Sequence, residues 1–235
     1  MKEVVTMAHI ITITGPSMCG KSTVIEQLGI IGRMSKFNGK FEIVKIPKYT
    51  TREFRANEIE AVLSKNYAQI DVLPVIGKYN ESADLTEEEL KQAKLTAFKN
   101  LKCDIVYEQY GHRYGIKLED LYEHLKNGRN PVIILNDVRT IEDLKSALGK
   151  QCFSIFIFRE IPNIGHFYEE GEKRNDSESS IRARYEKAAS IYRIYIENIH
   201  LFDKLILNVQ KGEESIRNML EQLVEYLCLV PSAFK

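Results

Sequence analysis

Short, strongly apolar segments alternate with amphipathic segments along most of the chain. Stretches such as VIIL and SIFIF are almost continuously hydrophobic, as expected of strands buried on both faces of a parallel sheet. The pattern predicts strands over residues 9–14, 41–46, 69–76, 103–107, 131–135, 153–158 and 204–208. It predicts helices over residues 21–31, 87–101, 118–127, 141–148, 177–198 and 213–227. Strands that alternate with helices in this way predict an α/β fold with a parallel sheet.

Capping signals support two of these helices. Thr86 with Glu89 forms a predicted capping box before one helix, and Thr140 with Asp143 forms an equivalent pair before another. Gly149 lies where a C-terminal cap belongs.

Two regions interrupt the alternation, over residues 49–114 and 159–176. The first mixes Arg, Glu, Tyr and Asn, and the second is polar and rich in turn-forming residues. Long irregular segments inside a compact domain are usually functional loops, although both regions could also be solvated decoration.

Composition narrows the classes of function. The 235 residues include 33 basic and 33 acidic side chains, which gives zero formal net charge. A neutral chain is not a general polyanion binder, so we expect no nucleic-acid partner. Any attraction to phosphate has to come from a local cluster of Arg and Lys.

The cysteines and the apolar runs indicate a soluble protein of the cytoplasm. Cys19, Cys103, Cys152 and Cys228 are widely spaced and form no CxxC pair, which is typical of reduced thiols. The first residues predict a strand and not a signal peptide. No apolar run approaches the ~18 residues of a membrane span, so we expect no membrane association.

The strongest motif follows the first predicted strand. It matches G-x-x-x-x-G-K-[ST] with Gly15, Pro16, Ser17, Met18, Cys19, Gly20, Lys21 and Ser22. Its glycines let backbone N–H groups surround a phosphate, and the helix that follows points its positive end at the same anion. The alternative is a chance match in a turn.

The residues after the second glycine suit a nucleoside triphosphate. Lys21 would neutralise the β- and γ-phosphates as a catalytic residue, and the Ser22 hydroxyl would complete the coordination of Mg²⁺. Thr23 would add a phosphate contact. The motif therefore predicts ATP as ligand and Mg²⁺ as cofactor.

Cys19 lies inside this loop and permits two interpretations. The helix terminus could depress the pKa of its thiol and make it reactive. The plainer interpretation is a small side chain that fills a small space.

A second basic segment, TTREFR, contains Arg52 and Arg55 three residues apart. Guanidinium groups bind phosphate oxygens in pairs, so both could hold one phosphate. The alternative is a surface turn with two solvated arginines. Further on, GHRYG places glycines among aromatic residues, and Asp137 follows a buried strand at the edge where α/β proteins bind ligands.

Together these segments resemble the guanylate kinase family of nucleoside monophosphate kinases. The family's GPSGxGKST, TTRxxR and G-x-Y-Y-G segments correspond to GPSMCGKST, TTREFR and GHRYG. Its D-I-D segment corresponds to NDV, its lid sequence RGTDSEExIxxR to KRNDSESSIRAR, and its V-x-N strand end to LILN. The segments keep their order from residue 10 to about residue 227.

The resemblance implies a single guanylate-kinase-like domain over 1–235 with a P-loop fold. Its core would take residues 1–48, 117–158 and 177–235, its acceptor-binding lobe residues 49–116, and its mobile lid residues 159–176. Arg52, Arg55 and Tyr114 match positions that hold the phosphate of the acceptor, and Asp137 matches an acidic residue near its base.

The resemblance also implies roles near the donor. Arg174 and Arg184 match catalytic arginines of the lid and its helix, which approach the phosphoryl group in transfer. Asn208 matches a residue beside the adenine of ATP. The alternative for the two arginines is a solvated pairing with Glu172 or Glu178.

Several positions depart from the family. Ile105 stands where the family has a glutamate that reads guanine, and Ile116 replaces a Ser or Thr. Lys48 replaces a serine near the phosphate, and Glu108 could supply the missing carboxylate after a shift of register. The stretch from TTREFR to GHRYG is also about twenty residues longer than expected, and a segment of that length rarely lacks a role.

The sequence thus predicts a kinase that transfers phosphate from ATP to a nucleoside monophosphate, with (d)GMP as the first choice. A related kinase for a sugar phosphate or modified nucleotide is the second hypothesis, because the base pocket is altered. A non-catalytic guanylate-kinase-like interaction module is the third, against which the intact Lys21 and Ser22 argue. The sequence leaves the oligomeric state open.

Overall fold

The computed structural model describes residues 8–17, 19–37, 40–54, 56–65, 70–75, 86–109, 111–159, 163–172, 176–208 and 213–229. The strands of this part of the chain are β1 (Ile10–Thr14), β2 (Glu42–Lys45), β3 (Lys48–Thr50), β4 (Val72–Pro74), β5 (Ile105–Gln109), β6 (His112–Ile116), β7 (Arg129–Ile134), β8 (Cys152–Phe158) and β9 (Lys204–Leu207). Its helices are α1 (Lys21–Gly32), α2 (Ala56–Leu63), α3 (Glu87–Asn100), α4 (Leu118–Lys126), α5 (Val138–Leu148), α6 (Ile164–Glu172), α7 (Glu178–Glu197) and α8 (Glu213–Leu229).

The chain divides into two compact units. Unit 1 combines Met1–Lys45 with Tyr122–Lys235, and unit 2 is Ile46–Leu121. The functional division into core, acceptor-binding lobe and lid stays a prediction.

Unit 1 contains a five-stranded parallel sheet in the order β2-β7-β1-β8-β9. Its central strand, β1, is buried along its whole length, with Ile11 opposite Val132 on one side and Phe153 on the other. Strands that are covered on both faces need continuous apolar runs, which is the pattern that predicted them. The α/β fold with a parallel sheet is confirmed.

Helices α1 and α8 pack on this sheet and on each other. Leu28 of α1 and Leu220 of α8 are fully buried and belong to one apolar cluster, together with Ile13 of β1. Lys36, just beyond α1, forms exposed ion pairs with Glu221 and Glu225 of α8. Exposed pairs of this kind contribute little, so the apolar cluster carries the stability of the contact.

Unit 2 contains a four-stranded sheet in the order β4-β3-β6-β5. Strands β5 and β6 form an antiparallel hairpin, β3 pairs antiparallel with β6, and β4 pairs parallel with β3. The hydrophobic pattern predicted β5 and a longer version of β4, but it missed β3, β6 and α2. A strand of three residues such as β3 and a short strand that contains a glycine such as β6 carry too little periodicity to be detected.

The segment around residues 164–172 was predicted to be irregular, and that prediction is wrong because the structure has α6 there. Phe167 of α6 is buried against Ile181 of α7, and its ring meets the ring of Tyr185 edge to face. Gly171 allows this approach, because a Cβ at that position would overlap the side chain of Ile181. Tertiary packing therefore stabilises a helix for which the local sequence preference is weak.

The capping predictions have mixed outcomes. Thr86 and Glu89 form the predicted capping box of α3, and Gly149 is the C-cap of α5 with φ +55°. The Thr140–Asp143 pair is wrong as a cap, because α5 begins earlier. Its N-cap is Asp137, whose carboxylate accepts the N–H of Thr140 at 2.8 Å.

The four cysteines are free thiols, as predicted. Within the described ranges, no helix is both long enough and apolar enough to cross a bilayer.

Candidate active site

The predicted phosphate-binding loop joins β1 to α1 in unit 1. Thr14 ends the strand, Lys21 begins the helix, and Gly20 is the N-cap with φ +93°. The amide of Cys19 donates to the carbonyl of Pro16 across the turn at 3.4 Å. Ser17 is half-buried within the turn, and Met18 lies outside the described residues.

Two glycines of the loop are required by their surroundings. A Cβ at Gly15 would lie 2.6 Å from the sulfur of Cys19 and 2.8 Å from the carbonyl oxygen of Ile157. Gly20 adopts a left-handed conformation that side chains disfavour, and its Cβ would meet the amide of Asn208 at 2.5 Å. The loop therefore closes tightly on itself, as a loop that binds phosphate through its amides must.

Lys21 extends along the inside of the loop. Its ammonium group donates to the carbonyls of Gly15 at 2.9 Å and Pro16 at 2.6 Å. Ser22 and Thr23 follow in the first turn of α1, where both are exposed, and no acidic residue lies in that turn. The positive end of the helix and the ammonium charge thus act on the same small volume.

The Ser22 hydroxyl fits a role in binding Mg²⁺. Mg²⁺ usually keeps several waters and takes one or two protein oxygens together with phosphate oxygens. An exposed hydroxyl at this position of the loop meets that modest requirement, and Ser22 remains the predicted protein ligand.

Cys19 does not have the reactive character that one interpretation of the sequence expected. Its side chain is only 1% exposed, and burial raises the pKa of its thiol despite the nearby charges of Lys21 and Arg159. The interpretation that Cys19 has a lowered pKa and a reactive thiol is wrong, because desolvation disfavours the thiolate more than the neighbouring cations favour it. Cys19 fills space beneath Gly15.

Two asparagines hold the loop from outside it. Asn208, just after β9, donates its side-chain amide to the carbonyl of Cys19 at 2.8 Å. Asn136, just after β7, accepts the N–H of Gly15 at 3.2 Å. Sequence reasoning identified Asn208 as a neighbour of adenine, which stays a prediction, but it did not identify Asn136. The only signal for Asn136 was its position after a buried parallel strand.

Asp137 lies at the same edge of the sheet, at the start of α5. One carboxylate oxygen accepts both the N–H and the hydroxyl of Thr140, each at 2.8 Å. The carboxylate therefore has a structural task in unit 1, in addition to its predicted role near the base of the acceptor.

Arg184 of α7 is held by an acidic residue. Its guanidinium meets the carboxylate of Asp176 with two contacts, at 3.0 and 3.2 Å, and both side chains are largely buried. The sequence alternatives had named Glu172 and Glu178 as partners, and the observed partner is Asp176. Arg174 lies outside the described residues.

Arg159 is a further charge of this region that sequence reasoning missed. It directly follows β8, and its backbone contacts the hydroxyl of Tyr192 in α7. Its guanidinium acts to lower the pKa values of both Cys19 and Tyr192, which places a positive charge beside the loop. A signal existed, because an arginine at the carboxyl end of a buried parallel strand lies where ligands bind.

In unit 2, Arg52 forms a bidentate ion pair with Glu58 of α2. The two guanidinium nitrogens lie 2.9 and 2.8 Å from the two carboxylate oxygens, with side chains 12% and 3% exposed. Burial acts to lower the pKa of Arg52, but the Glu58 carboxylate outweighs it and raises that pKa. Arg55 lies outside the described residues.

Glu58 is a third residue, after Asn136 and Arg159, that the sequence did not reveal. It lies in the first turn of α2, a helix that the hydrophobic pattern did not predict. Its only signal was an acidic residue six positions after Arg52.

An aromatic pair lies on one face of the unit 2 sheet. Tyr107 and Tyr114 are cross-strand neighbours whose rings stack at 5.3 Å. The ammonium group of Lys48 lies 5.9 Å from the centroid of the Tyr114 ring, and Tyr114 interacts with Arg52. Two cations and a phenol thus share one face, an arrangement that suits a phosphate.

Ile105 and Ile116 are also cross-strand neighbours on that face. They are 7% and 3% exposed and directly continue the tyrosine pair. Glu108 cannot replace the missing carboxylate there, because alternation along β5 places it on the opposite face, where it pairs with Arg113 at 3.1 Å. This alternative from the sequence is wrong.

Comparison with solved structures identifies the fold. The structure of guanylate kinase from Anaplasma phagocytophilum matches with a TM-score of 0.53 and 16% identity, over 96% of this chain and 88% of that one. Dephospho-CoA kinase from Campylobacter jejuni (TM-score 0.43, 15% identity, 94% and 98% covered) and shikimate kinase from Bacteroides thetaiotaomicron (0.38, 9%, 94% and 100%) are more distant. The first likeness shows that this chain shares its fold with that guanylate kinase.

No protein-family model matches the chain, and no curated protein matches it.

Proposed function

We propose that this protein transfers the γ-phosphoryl group of ATP to a nucleoside monophosphate, with (d)GMP as the leading acceptor, to give ADP and a nucleoside diphosphate. The observation that carries the proposal is the loop between β1 and α1. Its glycines are sterically required, its lysine lies inside it, and a helix N-terminus without acidic residues follows.

The loop would bind the phosphates of ATP through its amides and through Lys21. The ammonium group would exchange the carbonyls of Gly15 and Pro16 for phosphate oxygens, which carry more charge. Mg²⁺, held in part by Ser22, would supply further positive charge to the phosphates. Asn136 and Asn208 keep the loop backbone in place while this exchange occurs.

The acceptor would be held in unit 2 by its phosphate. Arg52 is oriented by Glu58, and its contact with Tyr114 directs it toward the face that carries Lys48. Arg55 would add a second guanidinium, as the resemblance implies. Phosphoryl transfer needs mainly positioning and neutralisation of charge, so such a set of cations is sufficient.

Arginines of unit 1 would act on the phosphoryl group in transfer. Arg184 and Arg174 are the proposed catalytic arginines, and Arg159 adds a charge beside the loop. The pairing of Arg184 with Asp176 fixes its guanidinium, which lowers the entropy lost when it meets a phosphate.

A second candidate is a related kinase for a sugar phosphate or a modified nucleotide. The buried pair of Ile105 and Ile116 favours it, because neither side chain can accept the N–H donors of guanine. Unpaired donors would cost about 1–3 kcal/mol each, which is enough to change the preferred acceptor.

The decisive experiment incubates the protein with Mg·ATP and a panel of ribo- and deoxynucleoside monophosphates and sugar phosphates, and follows the formation of ADP. Turnover with one nucleotide supports the first candidate, and turnover with a sugar phosphate alone supports the second. Lys21→Ala should abolish the activity while leaving the thermal unfolding temperature close to that of the wild type. ADP formation that is independent of every acceptor and survives Lys21→Ala would refute the proposal.

A further inference from the structure

Arg159 lies where β8 ends, beside the loop between β1 and α1. Thr14, the last residue of β1, pairs with Phe156 of β8. One residue further along β8, the carbonyl oxygen of Ile157 would lie 2.8 Å from a Cβ at Gly15, the first glycine of the loop. Arg159 follows this contact by two residues, at the edge of the sheet where α/β proteins bind ligands.

The alternation along β8 indicates on which face of the sheet the Arg159 side chain lies. Ile157 belongs to the apolar cluster that α1 and α8 cover. Phe158 lies on the opposite face, where its ring is 4.6 Å from the ring of Tyr192 in α7. One further step of the alternation returns Arg159 to the face of Ile157, where α1 and its loop begin. In agreement with this placement, the Arg159 charge acts to lower the pKa of Cys19 in the loop.

Tyr192 fixes the backbone of Arg159. Its hydroxyl accepts the N–H of Arg159 at 3.2 Å and donates its own proton to the carbonyl of the same residue. Burial raises the pKa of Tyr192, so the hydroxyl keeps the proton that this second bond requires. Because the ring also packs on Phe158, α7 holds the end of β8 through both the ring and the hydroxyl.

The charges around the loop point to an anionic ligand with several phosphates. Arg159 adds a guanidinium to a loop that already contains the Lys21 ammonium group and the positive end of α1. Like charges at one site repel each other, and a bound polyphosphate converts that repulsion into attraction. We propose that Arg159 binds the phosphates of the donor and that Tyr192 is its positioning residue. The inference rests on the proposed function for the identity of the donor, ATP.

The same helix thereby positions two guanidinium groups of unit 1. Arg184 of α7 is held by the carboxylate of Asp176, and Tyr192 follows on α7 about two turns later. One arginine is oriented through a carboxylate, and the other through a hydroxyl that binds its backbone. The placement of both charges therefore depends on the position of α7.

The test measures the binding of Mg·ATP to the full chain by isothermal titration calorimetry, without any acceptor. Arg159→Ala should raise the Kd about tenfold, because a charge-assisted contact with phosphate is lost. Arg159→Lys should recover part of the affinity, because it keeps the charge but not the planar fork of donors. Tyr192→Phe keeps the ring and removes the hydroxyl, and it should raise the Kd about three- to tenfold.

A double variant separates positioning from a structural role. Tyr192→Phe should have no further effect in the Arg159→Ala background, because its hydroxyl acts through that guanidinium. The matched control is Tyr195→Phe on the same helix, whose ring stacks on Phe156 at 4.3 Å, and it should leave the Kd unchanged. Two results would overturn the proposal: equal weakening by Tyr192→Phe in both backgrounds, or a Kd of Arg159→Ala equal to that of the wild type.

Failure of this inference is distinguishable from failure of the proposed function. If Lys21→Ala loses Mg·ATP binding whereas Arg159→Ala binds as tightly as the wild type, only the role of Arg159 is wrong. If the Arg159 and Tyr192 variants behave as expected but no nucleoside monophosphate is phosphorylated, the proposed transfer is wrong and the donor contact stands. A wild-type protein that binds no Mg·ATP would overturn both.

Discussion

Arg52 and Arg184 share one arrangement, in which a largely buried guanidinium meets both oxygens of a carboxylate in its own unit. Such a pair orients the guanidinium but does not use all five of its N–H donors. A phosphate that met donors outside the pair would leave the pair intact. The carboxylates of Glu58 and Asp176 act here as positioning groups for the predicted phosphate-binding arginines.

Arg52→Ala should lower the free energy of unfolding by about 3–5 kcal/mol, because it leaves the carboxylate of Glu58 buried without its partner. Urea unfolding measures this loss. Adding Glu58→Gln should recover part of it, and the acceptor KM of either folded variant should rise.

The matched control is Arg113→Ala, since the Arg113–Glu108 pair is exposed and should contribute only about 0–1 kcal/mol. Equal losses in Arg52→Ala and Arg113→Ala would contradict the importance of the buried pair.

Tyr49 is a residue whose titration affects stability. Burial raises its pKa to about 12. The negative charge of Asp120, whose Oδ2 accepts a hydrogen bond from the Tyr49 hydroxyl at an O···O distance of 3.1 Å, adds to the shift. The folded protein therefore holds this proton more tightly than the unfolded chain, whose tyrosine titrates near 10. The contribution is complete below about pH 10 and is lost as the pH rises toward 12.

Tyr49→Phe should consequently flatten the decline of stability at alkaline pH. Between pH 9 and pH 10.5, the melting temperature of the wild type should fall further than that of the variant. If both proteins lose the same number of degrees, the phenol of Tyr49 is not the group responsible.

At the scale of elements, several helices and strands are determined by contacts that the hydrophobic pattern does not record, such as caps, packing against another helix and strand pairing. Helix α5 starts at Val138 because Asp137 caps it, three residues before the start that the apolar spacing predicted. Helix α6 exists because Phe167 packs on α7. Strand β6 exists because β3 and β5 pair with it from both sides, although its own sequence contains Gly115.

Asp137→Ala should lower the free energy of unfolding by about 1 kcal/mol, because it removes the acceptor for the N–H of Thr140. Asp137→Asn should be close to neutral, since asparagine caps helices about as well as aspartate. Thermal unfolding of the three proteins makes the comparison. A substantial loss in Asp137→Asn would instead indicate that the charge of this carboxylate, and not its capping bond, is required.

At the scale of the whole molecule, the core of unit 1 joins distant parts of the chain. β1 lies between β7 and β8, more than a hundred residues later, and α1 packs on α8 from the end of the chain. The unit is therefore completed only when its first and last segments meet. This assembly places the amide of Asn208 against the loop that begins at Gly15.

Leu28→Ala should lower the free energy of unfolding by about 2–5 kcal/mol, because Leu28 is fully buried in the cluster that unites α1, α8 and the sheet. Denaturant unfolding measures the loss. Ile30→Ala on the same helix is the control, since Ile30 is 45% exposed and its truncation should cost far less. Similar costs for the two variants would contradict the proposed location of the core.

The sequence by itself determined the α/β class, the parallel strands of unit 1 and the glycine-rich loop between β1 and α1. These features are local, because continuous apolar runs identify strands buried on both faces, and the glycines and lysine of the loop stand within eight positions. Arg52 was named from its spacing with Arg55, whereas Tyr114 and Asn208 could be named only through resemblance.

Only the tertiary structure decided what those side chains contact. It paired Arg52 with Glu58 and Arg184 with Asp176, assigned Asp137 to a helix cap, and buried Cys19 so that the pKa of its thiol rises. Burial and pairing depend on neighbours that folding brings together from distant segments. A pattern of hydrophobic and polar positions records which residues prefer the interior, but not which groups meet there.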